Sequence, residues 1–151
     1  MSGYVKKRTD IRLLKQSDKN RVVFFDGYCN LCSFSIDLIS AKNTESSFTF
    51  VSLQSKLALG LLTQNGYPVE KIKNVENVVY LRRGQLMVKS DAILAILFDL
   101  GGIYRFSYVF YLIPTFIRNE IYNFIAKKRY QWFGKRQTCK LPVSDQSQEE
   151  Q

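Results

Sequence analysis

The chain is 151 residues long, enough for one domain with a sizeable core, and 46% hydrophobic with 23% charged residues, a globular rather than a disordered composition. Lys and Arg total 22 against 13 Asp and Glu, a formal charge of +9 that favours anionic partners without choosing among them. There is no histidine, which excludes Cys–His and Ser–His nucleophile pairs, Cys2His2 zinc sites and, with Ser33 following Cys32, the C-x-x-C-H haem attachment.

Residues 1–20 are polar and charged and read as an irregular lead-in. Their basic start is followed by no apolar stretch, so no signal peptide is expected. Three cysteines do not make a secreted disulfide framework, and a cytoplasmic, reducing setting is expected. The apolar run 22–25 reads as a buried strand, Gly27 supplies a turn, and Leu31, Phe34, Leu38 and Ile39 then recur at helical spacing. Residues 48–53 alternate like a second strand. Residues 55–64 carry Leu57, Leu61 and Leu62 in helical register, ended by Asn65-Gly66-Tyr67-Pro68. Residues 77–81 and 85–88 form a predicted hairpin joined by Arg82-Arg83-Gly84. Ser90-Asp91 reads as N-cap and first turn of an all-round apolar helix over 92–98, closed by Gly101-Gly102.

The order β-α-β-α-β-β-α is that of an α/β, thioredoxin-like core. Residues 103–142 are an added C-terminal helical segment within the same predicted domain, 21–142, and 143–151 form a polar tail. In the added segment the aromatic, basic region Tyr104 to Trp132, which opens with an aromatic link up to Pro114, is expected to cover the sheet, with a peripheral membrane contact as the alternative. Beyond Pro114 a helix carries Ile117, Ile121, Phe124, Ile125 and Trp132 on one stripe, with Gly134 as its C-terminal cap. Arg105, Arg118, Asn119, Glu120 and Asn123 interrupt the apolar run, so it is not a membrane span.

The chemistry concentrates in Asp26-Gly27-Tyr28-Cys29-Asn30-Leu31-Cys32. Both thiols fall at the start of a helix, where unpaired backbone N–H groups and the helix dipole favour a thiolate. Cys29, expected nearer solvent, is the candidate attacking thiolate; Cys32, one turn inside, is the candidate resolving thiol, with exchange passing through a mixed disulfide. Asp26 reads either as a turn or N-cap carboxylate or as the base that takes the Cys32 proton. Cys139, among cations, is either an incidental surface thiol or a third redox thiol. The basic cluster at 127–140 (Lys127, Lys128, Arg129, Lys135, Arg136, Lys140) contains no carboxylate; it is a solvated helix end or a patch for an anionic partner or membrane surface.

These motifs resemble the DCC family of thiol-disulfide oxidoreductases, named for its Asp-Cys-Cys signature. The resemblance runs through 22–32, Val51-Ser52-Leu53-Gln54-Ser55, Lys89-Ser90-Asp91-Ala92, Leu112-Ile113-Pro114, residues 129–136, Cys139 and Leu141-Pro142. It implies a thioredoxin-like fold and dithiol–disulfide exchange with a protein or small-thiol substrate, without a bound organic cofactor, and it favours a functional Cys139. Unlike thioredoxins, the chain has no proline at 75–77, just before the hairpin, and Pro68 lies too far upstream to take that place.

The alternative class is a non-catalytic interaction module, peripheral to a membrane, with structural or metal-binding cysteines. A closed zinc site wants four ligands, and three cysteines would need Asp26 or an external group as the fourth. A phosphatase-like aspartate would want an acid two residues on, where Tyr28 stands. No nucleic-acid-binding motif accompanies the charge.

Overall fold

A computed structural model describes residues 21–42, 48–74 and 77–137. In chain order these form β1 (Arg21–Phe25), α1 (Asn30–Lys42), β2 (Thr49–Ser52), α2 (Lys56–Gln64), α3 (Val69–Lys73), β3 (Val79–Arg82), β4 (Gln85–Val88), α4 (Lys89–Leu100), a 3₁₀ segment (Gly102–Leu112) and α5 (Thr115–Phe133). The sheet order is β2-β1-β3-β4, with β2 parallel to β1, and β3 antiparallel to both β1 and β4. This mixed α/β architecture is consistent with the thioredoxin-like fold expected from the element order.

Central β1 is apolar from Val22 to Phe25 because both its faces are covered. Val22 and Phe24 pack with Val51, Leu61, Leu62 and Ile72 on the α2–α3 side. Val23 and Phe25 pack with Ile36, Tyr80, Ala95 and Ile96 on the α1–α4 side. Ser55 caps α2, its Oγ accepting the Ala58 N–H at 3.1 Å. The hairpin turns through Arg83 (φ 48°) and Gly84 (φ 81°), the paired left-handed conformation whose twist matches that of the flanking strands.

Several sequence expectations are corrected. The strand begins at Val79 rather than Asn77, and an unexpected short helix, α3, follows Pro68. Helix α4 starts at Lys89 after Val88, so Ser90 and Asp91 lie inside its first turn. They are taken by α5: Ser90 Oγ donates to Asn119 Oδ1 at 2.6 Å, and Asp91 accepts from Arg118 at 2.8 Å. Helix α4 is not apolar-buried all round either, since Ile93 is exposed. On α1 the buried positions are Ser33 and Ile36, while Phe34 and Leu38 face outward.

The largest correction concerns the added segment. The aromatic stretch does not cover the sheet: both sheet faces are already occupied, and Phe106, Tyr108, Val109, Phe110 and Leu112 are exposed. Helix α5 docks with its polar side instead. Its buried residues are Arg118 and Arg129, whereas Ile117, Ile121, Phe124, Ile125 and Trp132 are exposed.

A buried polar knot closes the α4 side. Asp99, its side chain 3% exposed, accepts from Arg82 and from the Tyr80 hydroxyl, each at 2.6 Å. Burial and then this carboxylate push the Tyr80 phenol well above its ordinary range, so it stays a donor. Tyr80→Phe removes one donor from a buried carboxylate. The expected cost is roughly 1.5–3 kcal/mol, read in urea as a lower midpoint at unchanged slope.

Candidate active site

The site is built where β1 ends and α1 begins. Asp26, Gly27 and Tyr28 form the turn, and the Cys29 N–H donates to the Asp26 carbonyl at 3.4 Å. Cys29 immediately precedes the first helical residue, and its carbonyl accepts the Ser33 N–H at 2.9 Å. Its sulfur takes the place a capping oxygen fills elsewhere: the Cys32 N–H donates to Cys29 Sγ at 3.3 Å. A thiolate suits that place better than a thiol, because it accepts strongly from an orphan helix N–H.

The two sulfurs are made unequal by this geometry. A hydrogen bond from the Cys32 thiol lowers the Cys29 pKa to about 6; burial opposes it, the Cys32 N–H and the Arg129 charge assist it, and the Asp26 charge opposes it. The same thiol–thiolate hydrogen bond, followed by burial, pushes Cys32 well above the ordinary thiol range. Both shifts favour the thiolate on Cys29 and the protonated thiol on Cys32.

Asp26 is the hub behind the pair, only 1% exposed. Oδ1 accepts from the Tyr28 N–H at 3.0 Å and from Gln54 Nε2 at 2.8 Å. Oδ2 accepts from Arg129 at 3.3 Å and from the Tyr130 hydroxyl. A carboxylate has about four acceptor positions, and these four donors occupy them. Gln54 Oε1 in turn accepts from the Gly27 N–H at 3.1 Å and from Ser52 Oγ at 2.6 Å, which fixes the turn against the end of β2. Tyr130 is pushed up to about 12, by burial first and then by Asp26, and so remains a donor.

The chain beyond α5 returns over the site. Gly134, at φ 79°, ends the helix, and Asn30 Nδ2 donates to the Phe133 carbonyl at 2.8 Å. Cys29 and Lys135 form an antiparallel bridge, and the Arg136 N–H donates to the Tyr28 carbonyl at 2.7 Å. A Cβ on Gly134 would meet Asn30 Nδ2 at 3.1 Å, so this strap needs glycine for both its turn and its close approach. Beneath it, Cys29 is 0% exposed. Cys32 faces the other way, into an apolar cavity of about 280 Å³ between α1, α4 and α5, walled by Phe25, Leu31, Ile36, Ile96 and Tyr122 and rimmed by the exposed Leu38, Ile93 and Ile125.

The structure therefore brings together Asp26, Cys29 and Cys32. The expectation that Cys29 is the more exposed sulfur is reversed, because the strap covers it. Cys139 and Lys140 lie outside the described residues. Arg129, assigned from sequence to a solvated basic cluster, turns inward to Asp26 and is unavailable to an anionic partner. Gln54, Arg129 and Tyr130 are site residues that sequence reasoning did not identify. The signal available for Arg129 was its spacing: it falls on the same side of α5 as Arg118, along the edge of the apolar stripe beside Ile125, an arrangement that buries charge only where partners wait.

A Cys-x-x-Cys at the junction of a strand and a helix, with one thiol depressed and one raised, is the arrangement that dithiol–disulfide exchange requires. The DCC1-like thiol-disulfide oxidoreductase family matches residues 23–135, and the chain belongs to that family. It is similar to the uncharacterized protein YuxK of Bacillus subtilis (strain 168), with 37% identity over 123 residues, covering 82% of this chain and 88% of YuxK. It is also similar to the DCC family protein At1g52590, chloroplastic, of Arabidopsis thaliana, with 29% identity over 127 residues, covering 83% of this chain and 72% of that protein. No solved structure matches the chain at a significant level.

The Asp26–Arg129 pair gives a stability test. Asp26→Leu strands a buried guanidinium and is expected to cost roughly 3–5 kcal/mol, whereas the double substitution Asp26→Leu/Arg129→Met, which removes both charges, recovers most of that loss. Urea unfolding of the four proteins of this cycle checks it.

Proposed function

We propose that the protein is a dithiol–disulfide oxidoreductase in which Cys29 attacks and Cys32 resolves, working in a reducing compartment such as the cytoplasm. The observation that carries this reading is the inequality of the two sulfurs, with a thiolate at the helix start and a protonated thiol one turn on. The Cys29 thiolate attacks one sulfur of a substrate disulfide, forming a mixed disulfide and expelling the other substrate sulfur as a thiolate. Cys32 then gives up its proton, which the departing substrate sulfur takes. Its sulfur attacks Cys29, closing the Cys29–Cys32 disulfide. The substrate gains two electrons and the one proton that Cys32 carried, its first sulfur leaving as a thiolate and its second as a thiol, and the protein pair loses them; the reverse reaction follows the same path.

Asp26 serves this cycle as a fixed anchor rather than as the proton acceptor, since its acceptor positions are filled. It holds Arg129 near the sulfurs, and Arg129 favours the thiolate by charge alone. The cavity fronting Cys32 supports a substrate or small thiol with an apolar group beside its sulfur. Cys139 follows Arg136 by three positions, a span of at most about 10 Å. That tether and the family resemblance support a role for Cys139 as a third thiol exchanging with the pair.

Ultraviolet thiolate absorbance of reduced Cys139→Ser protein, titrated against pH, is expected to show one thiolate appearing with a midpoint of about 6. The thiolate is present above that pH and lost as pH falls through it. Arg129→Gln removes a stabilising cation and moves the midpoint upward. Cys29→Ser abolishes disulfide exchange with folding intact, while Cys32→Ser/Cys139→Ser accumulates the mixed disulfide on Cys29. A Cys29–Cys139 disulfide mapped in Cys32→Ser assigns the third thiol its role. Two sulfurs that titrate together in the ordinary thiol range overturn the reading.

A further inference from the structure

Helix α5 is mounted with its polar face inward. Arg118 donates to the Ile113 carbonyl, Asp91 and Thr115; Asn119 meets Ser90; the Tyr122 hydroxyl accepts the Val78 N–H at 2.9 Å; and Arg129 reaches Asp26. These contacts fix the rotation of the helix about its axis. The outward side carries Ile117, Ile121, Phe124 and Trp132 at helical spacing, with Ile125 at its edge beside Tyr122 and Arg129, and all five are exposed among the described residues. Trp132 is 56% exposed and packs edge-on against Phe124, ring centroids 5.5 Å apart. The 3₁₀ segment that feeds α5 continues the pattern, with Phe106 75% and Leu112 86% exposed. Singly exposed apolar side chains are ordinary, but a continuous stripe with aromatic neighbours marks a surface that something covers.

Charge selects what covers it. Residues 101–137 carry seven Lys and Arg against a single carboxylate, Glu120. Two of the seven, Arg118 and Arg129, are buried in ion pairs. The remaining five, Arg105, Lys127, Lys128, Lys135 and Arg136, lie at the surface of this segment. A second copy would set those charges against their like. An anionic lipid surface neutralises them, takes the apolar stripe into the headgroup–acyl boundary, and suits Trp and Tyr at that depth. No helix among the described residues is long and apolar enough to cross a membrane, so the contact is in-plane.

We propose that α5 lies on an anionic phospholipid surface, its stripe from Ile117 to Trp132 in the headgroup–acyl boundary and its flanking cations against lipid phosphates. Ile125 belongs both to this stripe and to the rim of the cavity that Cys32 lines, so the seated protein opens that cavity at the edge of the lipid.

Trp132 is the chain's one tryptophan and reports on this face directly. Full-length protein mixed with phosphatidylglycerol–phosphatidylcholine vesicles is expected to sediment with them, with a blue shift in tryptophan emission that high salt reverses. Phosphatidylcholine alone gives neither effect. Lys127→Gln/Lys128→Gln weakens vesicle binding by roughly thirtyfold, at about 1 kcal/mol per charge near the surface. Ile117→Ser/Ile121→Ser leaves the fold intact and abolishes co-sedimentation. Cys29→Ser binds vesicles as the natural chain does, so this result is independent of the redox reading. Emission unchanged by anionic vesicles overturns the proposal. So does emission already blue without lipid: dependence on protein concentration then assigns the face to a second copy, and independence of it to residues of the same chain.

Discussion

The ion pair between Asp26 and Arg129 is the constraint from which the rest of the site follows. Its partners are 103 positions apart, one at the end of β1 and the other near the end of α5. A carboxylate 1% exposed and a guanidinium 8% exposed cannot each be left alone, because an unpaired buried charge costs several kcal/mol. Helix α5 therefore has one rotation on the domain, the one that turns Arg129 inward. The Tyr130 hydroxyl and Gln54 complete the shell around Asp26, so a strand end, a turn and a distant helix are fixed by one side chain. The pair does not have to be a large net stabiliser to do this. Its force lies in the penalty for every arrangement that separates the two charges.

That penalty also sets the environment of the sulfurs. Asp26 alone would oppose a thiolate at Cys29, and Arg129 alone favours it; held together they act against each other, with the cation the stronger of the two. What separates the sulfurs is then local: the Cys32 thiol and the Cys32 N–H both point at Cys29 Sγ, and nothing equivalent points back. The helix start supplies the asymmetry, and the buried pair keeps it from being undone by the carboxylate that makes the turn.

Elements whose signals are local were legible in the sequence. The buried run of β1, the Ser55 cap, the hairpin with Arg83-Gly84 and the Cys-x-x-Cys at a helix start each depend on neighbours within a few positions. What failed depended on partners far along the chain. Periodicity located the apolar stripe of α5 correctly, but periodicity says only that a stripe exists, not which way it faces. Arg118 and Arg129, waiting for Asp91 and Asp26, outweighed the stripe and turned it outward. The same applies to α1, where Ser33 and Ile36 rather than Phe34 and Leu38 found the core. Ser90 and Asp91 fit a cap by type, yet α5 claims both. Gln54 and Tyr130 stood inside the family-like motifs, and only the folded arrangement gives them a shared task at Asp26.

The two sulfurs open onto different surroundings, and this shapes how exchange through them has to run. Cys32 looks into an apolar cavity that opens at the rim of Leu38, Ile93 and Ile125. Cys29 is closed off by residues 134–137, which the Arg136 N–H joins to the Tyr28 carbonyl and Lys135 to Cys29 as a bridge, while Asn30 holds the Phe133 carbonyl just before them. Each such bond at a surface contributes about 0.5–1.5 kcal/mol, far less than unfolding the domain, so the strap belongs to the least stable part of the structure. The strap begins at the end of α5, immediately after Trp132 and Phe133, and Gly134 is its hinge. The outward stripe of α5 and the segment that covers Cys29 are therefore joined through one short stretch of chain.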